Sequence, residues 1–204
     1  MATQTNPKRS KLKQTTSQTV GPYFAYGLAP TQYGFDYASL FSADLVSDAT
    51  PGEHITVLGQ VFDGAGKTVF DALIEINQAD SKGKFLSTRA QRAKTGFRGF
   101  GRCGTGTIAG DYFAFKTIKP GAIGDGQAPF IDVIVTMRGL LNHLFTRIYF
   151  SDEAAANGKD PVLSALPQAR RLTLIAKRTE RSGAVSYVFN IYMQGDQETV
   201  FFDA

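Results

Sequence analysis

Two histidines, His54 and His143, and the carboxylate of Asp132 are the side chains of this sequence that could together hold a transition metal. Two imidazoles and one carboxylate suit ferrous iron. Their placement argues against that use. His54 follows Pro51-Gly52-Glu53 at the head of an expected strand, and His143 falls in the turn Leu140-Leu141-Asn142-His143. Neither has ligand spacing to the other or to Asp132, so both read as surface or turn histidines. The tract Gly99-Phe100-Gly101-Arg102-Cys103-Gly104 echoes a phosphate loop. It lacks the Gly-Lys-Ser/Thr ending and the flanking strand and helix start, and it reads as loop and turn. No Gly-x-Ser-x-Gly elbow supports a serine nucleophile. The single cysteine, Cys103, rules out an intrachain disulfide and fits a reducing cytoplasm; it reads as a packed small residue rather than a reactive thiol. Arg138, on its own, is a solvated arginine at a strand end.

The elements that must position any site are strands. Ile55, Val57 and Val61 alternate with more polar neighbours, and Asp63-Gly64-Ala65-Gly66 marks a turn after them. Further strands are expected over Val69–Ile76, around Tyr112–Thr117, and over Ile131–Met137, Leu144–Phe150, Leu172–Ala176, Val185–Met193 and Thr199–Phe202. Tyr37–Val46 is expected to form a short amphipathic helix with Leu40, Phe41 and Leu45 on one side. Thr19–Phe24 is a turn-forming, non-helical segment, and Asp152–Asn157 a helical turn or two. The long Gly/Arg-rich stretch from Ser81 to Gly110 is expected to be a functional or interfacial loop. Short strands between Gly, Pro, Asn and Asp clusters predict a mainly β protein: an antiparallel β-sandwich core with long loops and one or two short helices.

A chain of 204 residues, 43% hydrophobic with 16 Phe, can bury a substantial core. Without Lys8, Arg9, Lys11 and Lys13, the remaining 18 basic residues equal the 18 acidic ones, so the body is neutral. The basic character sits in a segment over residues 1–16 that reads as a flexible, solvated arm rather than a nucleic-acid anchor. No apolar run approaches a membrane span, and no apolar leader stands at the N-terminus. No membrane or nucleic-acid partner is therefore expected.

Ordered tracts along the chain carry a resemblance. They are Ser17-Gln18-Thr19-Val20-Gly21-Pro22-Tyr23, Gly59-Gln60-Val61-Phe62-Asp63-Gly64, Ile74-Glu75-Ile76-Asn77-Gln78-Ala79-Asp80 and Gly99-Phe100-Gly101-Arg102. After them come Thr117-Ile118-Lys119-Pro120-Gly121, Leu144-Phe145-Thr146-Arg147-Ile148-Tyr149-Phe150, the stretch Arg170–Arg178, and Gln194-Gly195 with Glu198–Asp203. In this order they resemble the intradiol ring-cleaving dioxygenases, specifically the non-catalytic alpha chains of the protocatechuate 3,4-dioxygenase group. In that group's catalytic chains two tyrosinates and two imidazoles hold Fe(III), a hard ion that phenolate oxygen stabilises. Here the corresponding positions hold Ile123, Phe130 and Asp132, and the loop from Ser81 to Phe97 has no tyrosine. Gln127 stands where an arginine is usual, Arg147 where a glutamine is usual, and Asn77 where a tryptophan is usual.

The resemblance implies a single β-sandwich domain over residues 17–204 and no metal bound by this chain, and the lone cysteine adds the expectation of a cytoplasmic location. A beta subunit would be the partner, in a higher αβ oligomer, holding the Fe(III) that opens protocatechuate with O2 to 3-carboxy-cis,cis-muconate. This is a step of aromatic catabolism in the β-ketoadipate pathway. Thr19, Gly21, Pro22, Tyr23 and Arg138 would line the substrate pocket at the interface. A guanidinium there offers N–H donors and fixed charge to the substrate carboxylate. The former metal pocket is expected to be apolar and filled by Phe130, with Asp132 paired to a nearby arginine. The alternative is a binding or assembly module that kept the fold without an enzymatic partner.

Overall fold

The structure is a computed structural model that describes residues 13–203; most of the expected basic arm over residues 1–16 lies outside the described residues. Alternating side chains give each strand one apolar face. In β1 (His54–Phe62) Ile55, Val57 and Val61 are buried while their neighbours are half-exposed or exposed. The other strands are β2 (Leu73–Gln78), β3 (Phe100–Gly104), β4 (Tyr112–Ile118), β5 (Phe130–Thr136), β6 (Leu144–Phe150), β7 (Ile175–Arg181), β8 (Ala184–Val188) and β9 (Ile191–Tyr192). They pair in the order β3-β2-β5-β6-β7-β8-β1-β4, with β9 added to β1. β7 belongs to both halves of that order. Ile175 and Ala176 pair with β6, and the rest of the strand pairs with β8. The sheet thus folds over at β7 into two layers. Ile74, Val133 and Ile148 of one layer meet Val57, Phe113 and Tyr187 of the other in one core.

The expected sandwich is present, with differences that have physical causes. Most pairings are antiparallel, but β1 with β8, β1 with β9, and β6 with β7 are parallel. Among the described residues, five short α-helices occur rather than one or two: α1 (Phe24–Leu28), α2 (Arg89–Thr95), α3 (Ala154–Asn157), α4 (Pro161–Ser164) and α5 (Gln168–Arg171). Among the described residues, no helix is long and apolar enough to cross a membrane.

The helix expected over Tyr37–Val46 does not form. Its backbone is drawn outward by two sheet edges. The Leu45 N–H donates to the Lys116 carbonyl on β4, and the Lys116 N–H returns to Ala43. The Arg102 N–H on β3 donates to Ser42, and the Arg98 N–H to Leu45. Residues 42–45 are therefore a strap that satisfies the two exposed edges at once, where a helix would keep those groups internal. Leu45 is fully buried whereas Leu40 is 86% exposed, so the supposed apolar face is divided.

The strap also explains β3, which the glycine-rich sequence disguised as a loop. A Cβ on Gly101 would lie 2.5 Å from Leu45 Cδ1, and one on Gly104 would lie 2.0 Å from the Tyr33 hydroxyl. These glycines let other chain segments lie on a strand. Elsewhere, Val69–Ala72 forms a turn before β2, and Leu172–Leu174 is a 3-10 turn before β7. Val185–Met193 splits into β8 and β9, and residues 199–202 form no strand, meeting β6 through the Phe145–Phe202 bridge and the Thr146 hydroxyl, which donates to the Val200 carbonyl.

One ion cluster ties the end of β4 to the segment after β6. Lys119 Nζ reaches Asp152 Oδ2 at 2.7 Å and Glu153 Oε1 at 2.6 Å, and the Tyr187 hydroxyl donates to Asp152 at 3.0 Å. Burial pushes the Asp152 carboxyl up, but the hydrogen bonds from Lys119 and Tyr187 outweigh it and hold the group below its ordinary value. A carboxyl depressed on folding stabilises the fold above its unfolded pKa, near 3.9, and loses that contribution as pH falls through its folded value. Asp152→Asn should therefore lower stability by about 1–2 kcal/mol at pH 7 and by much less at about pH 3. Urea melts at the two pH values check this; an equal loss at both would refute it.

Candidate functional site

Two regions carry the sequence-predicted residues, and both grow from β5. Along that strand Ile131, Val133 and Val135 point into the core, so Phe130, Asp132 and Ile134 point to the outer face. The hairpin register sets Phe130 opposite Tyr149 and Asp132 opposite Arg147. Phe130 is buried in a second apolar cluster with Ala128, Tyr149, Leu163 and Leu174, and Ile123 packs against it. Arg147 Nε donates to Asp132 Oδ1 at 2.9 Å, and its guanidinium lies 4.0 Å from the Phe130 ring centroid. This is a cross-strand ion pair laid on an aromatic face.

The cluster is fastened from above by Asp160, which is fully buried. Its carboxylate accepts from the Ala128 N–H at 2.9 Å, from the Tyr149 hydroxyl at 3.2 Å, and from the Val162 and Leu163 N–H groups at 2.9 Å each. It caps α4 while holding down the strand that leads into Phe130. Burial pushes the Tyr149 phenol up to about 12. Burial likewise pushes the Asp132 carboxyl up, and Arg147 offsets only part of that.

A groove of about 480 Å3 opens beside this pair, lined in part by Asn77, Phe100, Asp132, Phe145 and Arg147. Its donor set does not fit Fe(III). At the positions that correspond to iron ligands, Ile123 and Phe130 offer no donor atom and Arg147 already holds the Asp132 carboxylate, while Glu75 in the groove is held by Arg102. Phe130 fills its pocket and Asp132 pairs with an arginine, as expected. The two histidines are elsewhere: His54 Nε2 sits 2.8 Å from the Thr50 carbonyl, and His143 stacks edge-on against Phe145 in the β5–β6 turn.

The second region lies at the far end of β5. There Arg138 and Gly139 start the turn to β6, and the Gly139 N–H donates to Thr19 Oγ1 at 2.8 Å. Thr19 and Arg138, far apart in sequence, therefore sit side by side. Gly21, Pro22 and Tyr23 continue from Thr19 on the surface. Gly21 faces open space, and Tyr23 is 73% exposed, its ring edge-on to Tyr26. The structure joins Thr19 to the Arg138 turn; Tyr23 packs instead with the aromatic cluster that runs through Tyr26, Tyr33 and Phe35. The Arg138 side chain is 47% exposed and ion-pairs with Asp71, which is 6% exposed. Its guanidinium also lies 5.5 Å from the Phe70 ring centroid.

Neither Asp71, which lies inside the expected strand Val69–Ile76, nor Asp160 is among the residues the sequence points to. A signal existed for each. Asp71 is a charge inside an otherwise apolar tract, and Asp160-Pro161 is a helix start. The half-buried arginine, exposed aromatics and open backbone at this end suit contact with both an anion and another protein surface.

Comparison with known proteins agrees with this geometry. The profile of the family described as Dioxygenase matches residues 20–140. The protocatechuate 3,4-dioxygenase alpha chain of Burkholderia cepacia is 55% identical over 193 residues, which cover 94% of this chain and 98% of that one. The beta chain of the same enzyme from Burkholderia cepacia is 31% identical over 185 residues, covering 82% of this chain and 77% of that one. Among solved structures, the dioxygenase domain of a carbohydrate-binding fusion protein from Streptomyces sp. SirexAA-E superposes with a TM-score of 0.57 at 25% identity. That match covers 80% of this chain and 94% of the other.

Proposed function

The chain belongs to the dioxygenase family of intradiol ring-cleaving enzymes, among the protocatechuate 3,4-dioxygenase alpha chains, and on that premise we propose that it is the non-catalytic alpha subunit of such an enzyme. The complex it serves is an α/β heteromer that opens protocatechuate with O2 to 3-carboxy-cis,cis-muconate. Intradiol dioxygenases use iron, and in this reading the beta subunit holds it as Fe(III), which supplies activation of the bound catecholate towards oxygen. This chain shapes the pocket at the interface. Arg138 offers its guanidinium to the substrate carboxylate, and Thr19, Gly21, Pro22 and Tyr23 form the adjoining wall. The αβ pairs assemble into a higher oligomer, and the free, buried Cys103 supports a reducing, cytoplasmic setting. Residues 17–204 act as one domain behind the basic arm.

The observation that carries this reading is the Thr19–Gly139 hydrogen bond. It joins the N-terminal segment to the Arg138 turn beside a guanidinium that is still half open to solvent. Co-expression with a beta-type chain tests it. The lone protein should be colourless and take up no oxygen with protocatechuate, while the complex should show a tyrosinate-to-iron colour and consume oxygen. Colour and turnover from the lone chain would overturn the reading. A stable complex that binds iron but works equally well without this chain would favour the assembly-module reading instead.

A further inference from the structure

Arg138 is gripped by two consecutive residues of the turn before β2. Asp71 meets the guanidinium through Nε, and the ring of Phe70 lies 5.5 Å from it. The grip is asymmetric. The carboxylate is almost wholly buried, while the arginine remains half exposed. Asp71 Oδ2 makes no well-aligned hydrogen bond to any group, so the guanidinium alone balances its charge among the described residues.

The turn itself is rigid. The buried Thr105 hydroxyl donates to the Val69 carbonyl at 2.6 Å and accepts from the Ala72 N–H at 3.0 Å, so one side chain clasps both ends of Phe70-Asp71. The Thr105 N–H closes the clasp on the Ala72 carbonyl at 2.9 Å. On the other flank, the backbone after Arg138 is fixed by Thr19.

We propose that Asp71 is a positioning residue for Arg138: it holds the inner, Nε side of the guanidinium so that the outer N–H groups face the substrate carboxylate. This rests on the reading of Arg138 as a substrate contact. A guanidinium carries five N–H donors in one plane and can serve two carboxylates on different edges. A long side chain already ordered before the ligand arrives loses less freedom on binding. The buried carboxylate thus converts a flexible surface cation into a directed one.

The test uses the co-expressed α/β complex and steady-state oxygen uptake. Asp71→Asn should raise the KM for protocatechuate roughly tenfold with kcat within about twofold, the pattern of lost ground-state binding. Iron content should hold. With catechol, which lacks the carboxylate, KM should not change. In the Arg138→Ala background, adding Asp71→Asn should move KM no further, because the two residues act as one unit. Asp71→Glu keeps the charge but shifts it by a methylene, and it should raise KM in the same direction even if Asp71→Asn assembles poorly. An unchanged KM in both Asp71 variants, with Arg138→Ala still raising it, overturns the positioning role and leaves the proposed function standing. A rise that appears equally with catechol, or persists without Arg138, overturns it too, because Asp71 would then act through the fold. If Arg138→Ala itself has no effect on KM, the substrate reading of Arg138 falls first.

Discussion

Replacing Arg138 by alanine in the assembled complex should raise the KM for protocatechuate by about a hundredfold while iron content and colour remain. A hydrogen bond between charged partners contributes roughly 1.5–3 kcal/mol, and the upper figure converts to about that factor. The same substitution should also cost stability. Asp71 is almost wholly buried, and without Arg138 it faces no cation. Removing one partner of a buried pair costs about 3–5 kcal/mol; the exposure of Arg138 brings the expectation here to roughly 2–3 kcal/mol. The two effects can be separated. Arg138→Ala with Asp71→Asn should recover most of the thermal stability and none of the KM, because a neutral amide removes the stranded charge but restores no donor. Melting curves and oxygen uptake on the three complexes decide it. If the double variant regains substrate affinity, Arg138 does not bind the substrate.

The largest purely structural effect should come from Asp160→Ala. That carboxylate is fully buried and accepts four hydrogen bonds, three of them from backbone N–H groups. Alanine strands all four donors and removes the cap of α4, a combined loss of about 3–5 kcal/mol. For a domain of this size that is roughly a 10 °C fall in melting temperature. Asp160→Asn keeps the shape and part of the acceptor capacity and should cost about half as much. The Ala128 amide should lose hydrogen-exchange protection in both variants, since its partner is altered. A melting temperature within a degree or two of the parent would show that Asp160 is not the fastening of the Phe130 cluster.

Much of the sheet was legible because strand patterning is local. The alternation around Ile55, Val57 and Val61, and the apolar runs of β5 and β6, announce themselves within a few residues. The pairing of Asp132 with Arg147 was also within reach, since a hairpin turning near Gly139 sets these two positions opposite each other. What stayed hidden depends on distant segments. Ser42–Leu45 looks helical until the edges of β3 and β4 are known, because its hydrogen-bond partners lie dozens of residues away. Gly101 and Gly104 look like loop residues until Leu45 and Tyr33 are seen lying against them. Asp71 stands out locally only as a charge in an apolar tract; its meaning comes from Arg138, brought close only when β2 and β5 pair. Arg138 and its neighbours stand out only through the family resemblance; by composition Arg138 is an ordinary surface arginine.

The guanidinium laid across Phe130 also resists change at this pocket. Suppose the chain were to gain metal ligands one at a time. Phe130→His would set a polar ring in an apolar cluster beneath a permanent positive charge, and Asp132→His would leave Arg147 with no counter-ion. Each single change is uphill before any metal could reward it. Ile123 would have to change as well. Arg147 on the phenyl ring therefore acts as an energetic latch: each single step from this side-chain set toward an iron-binding one passes through a less stable protein.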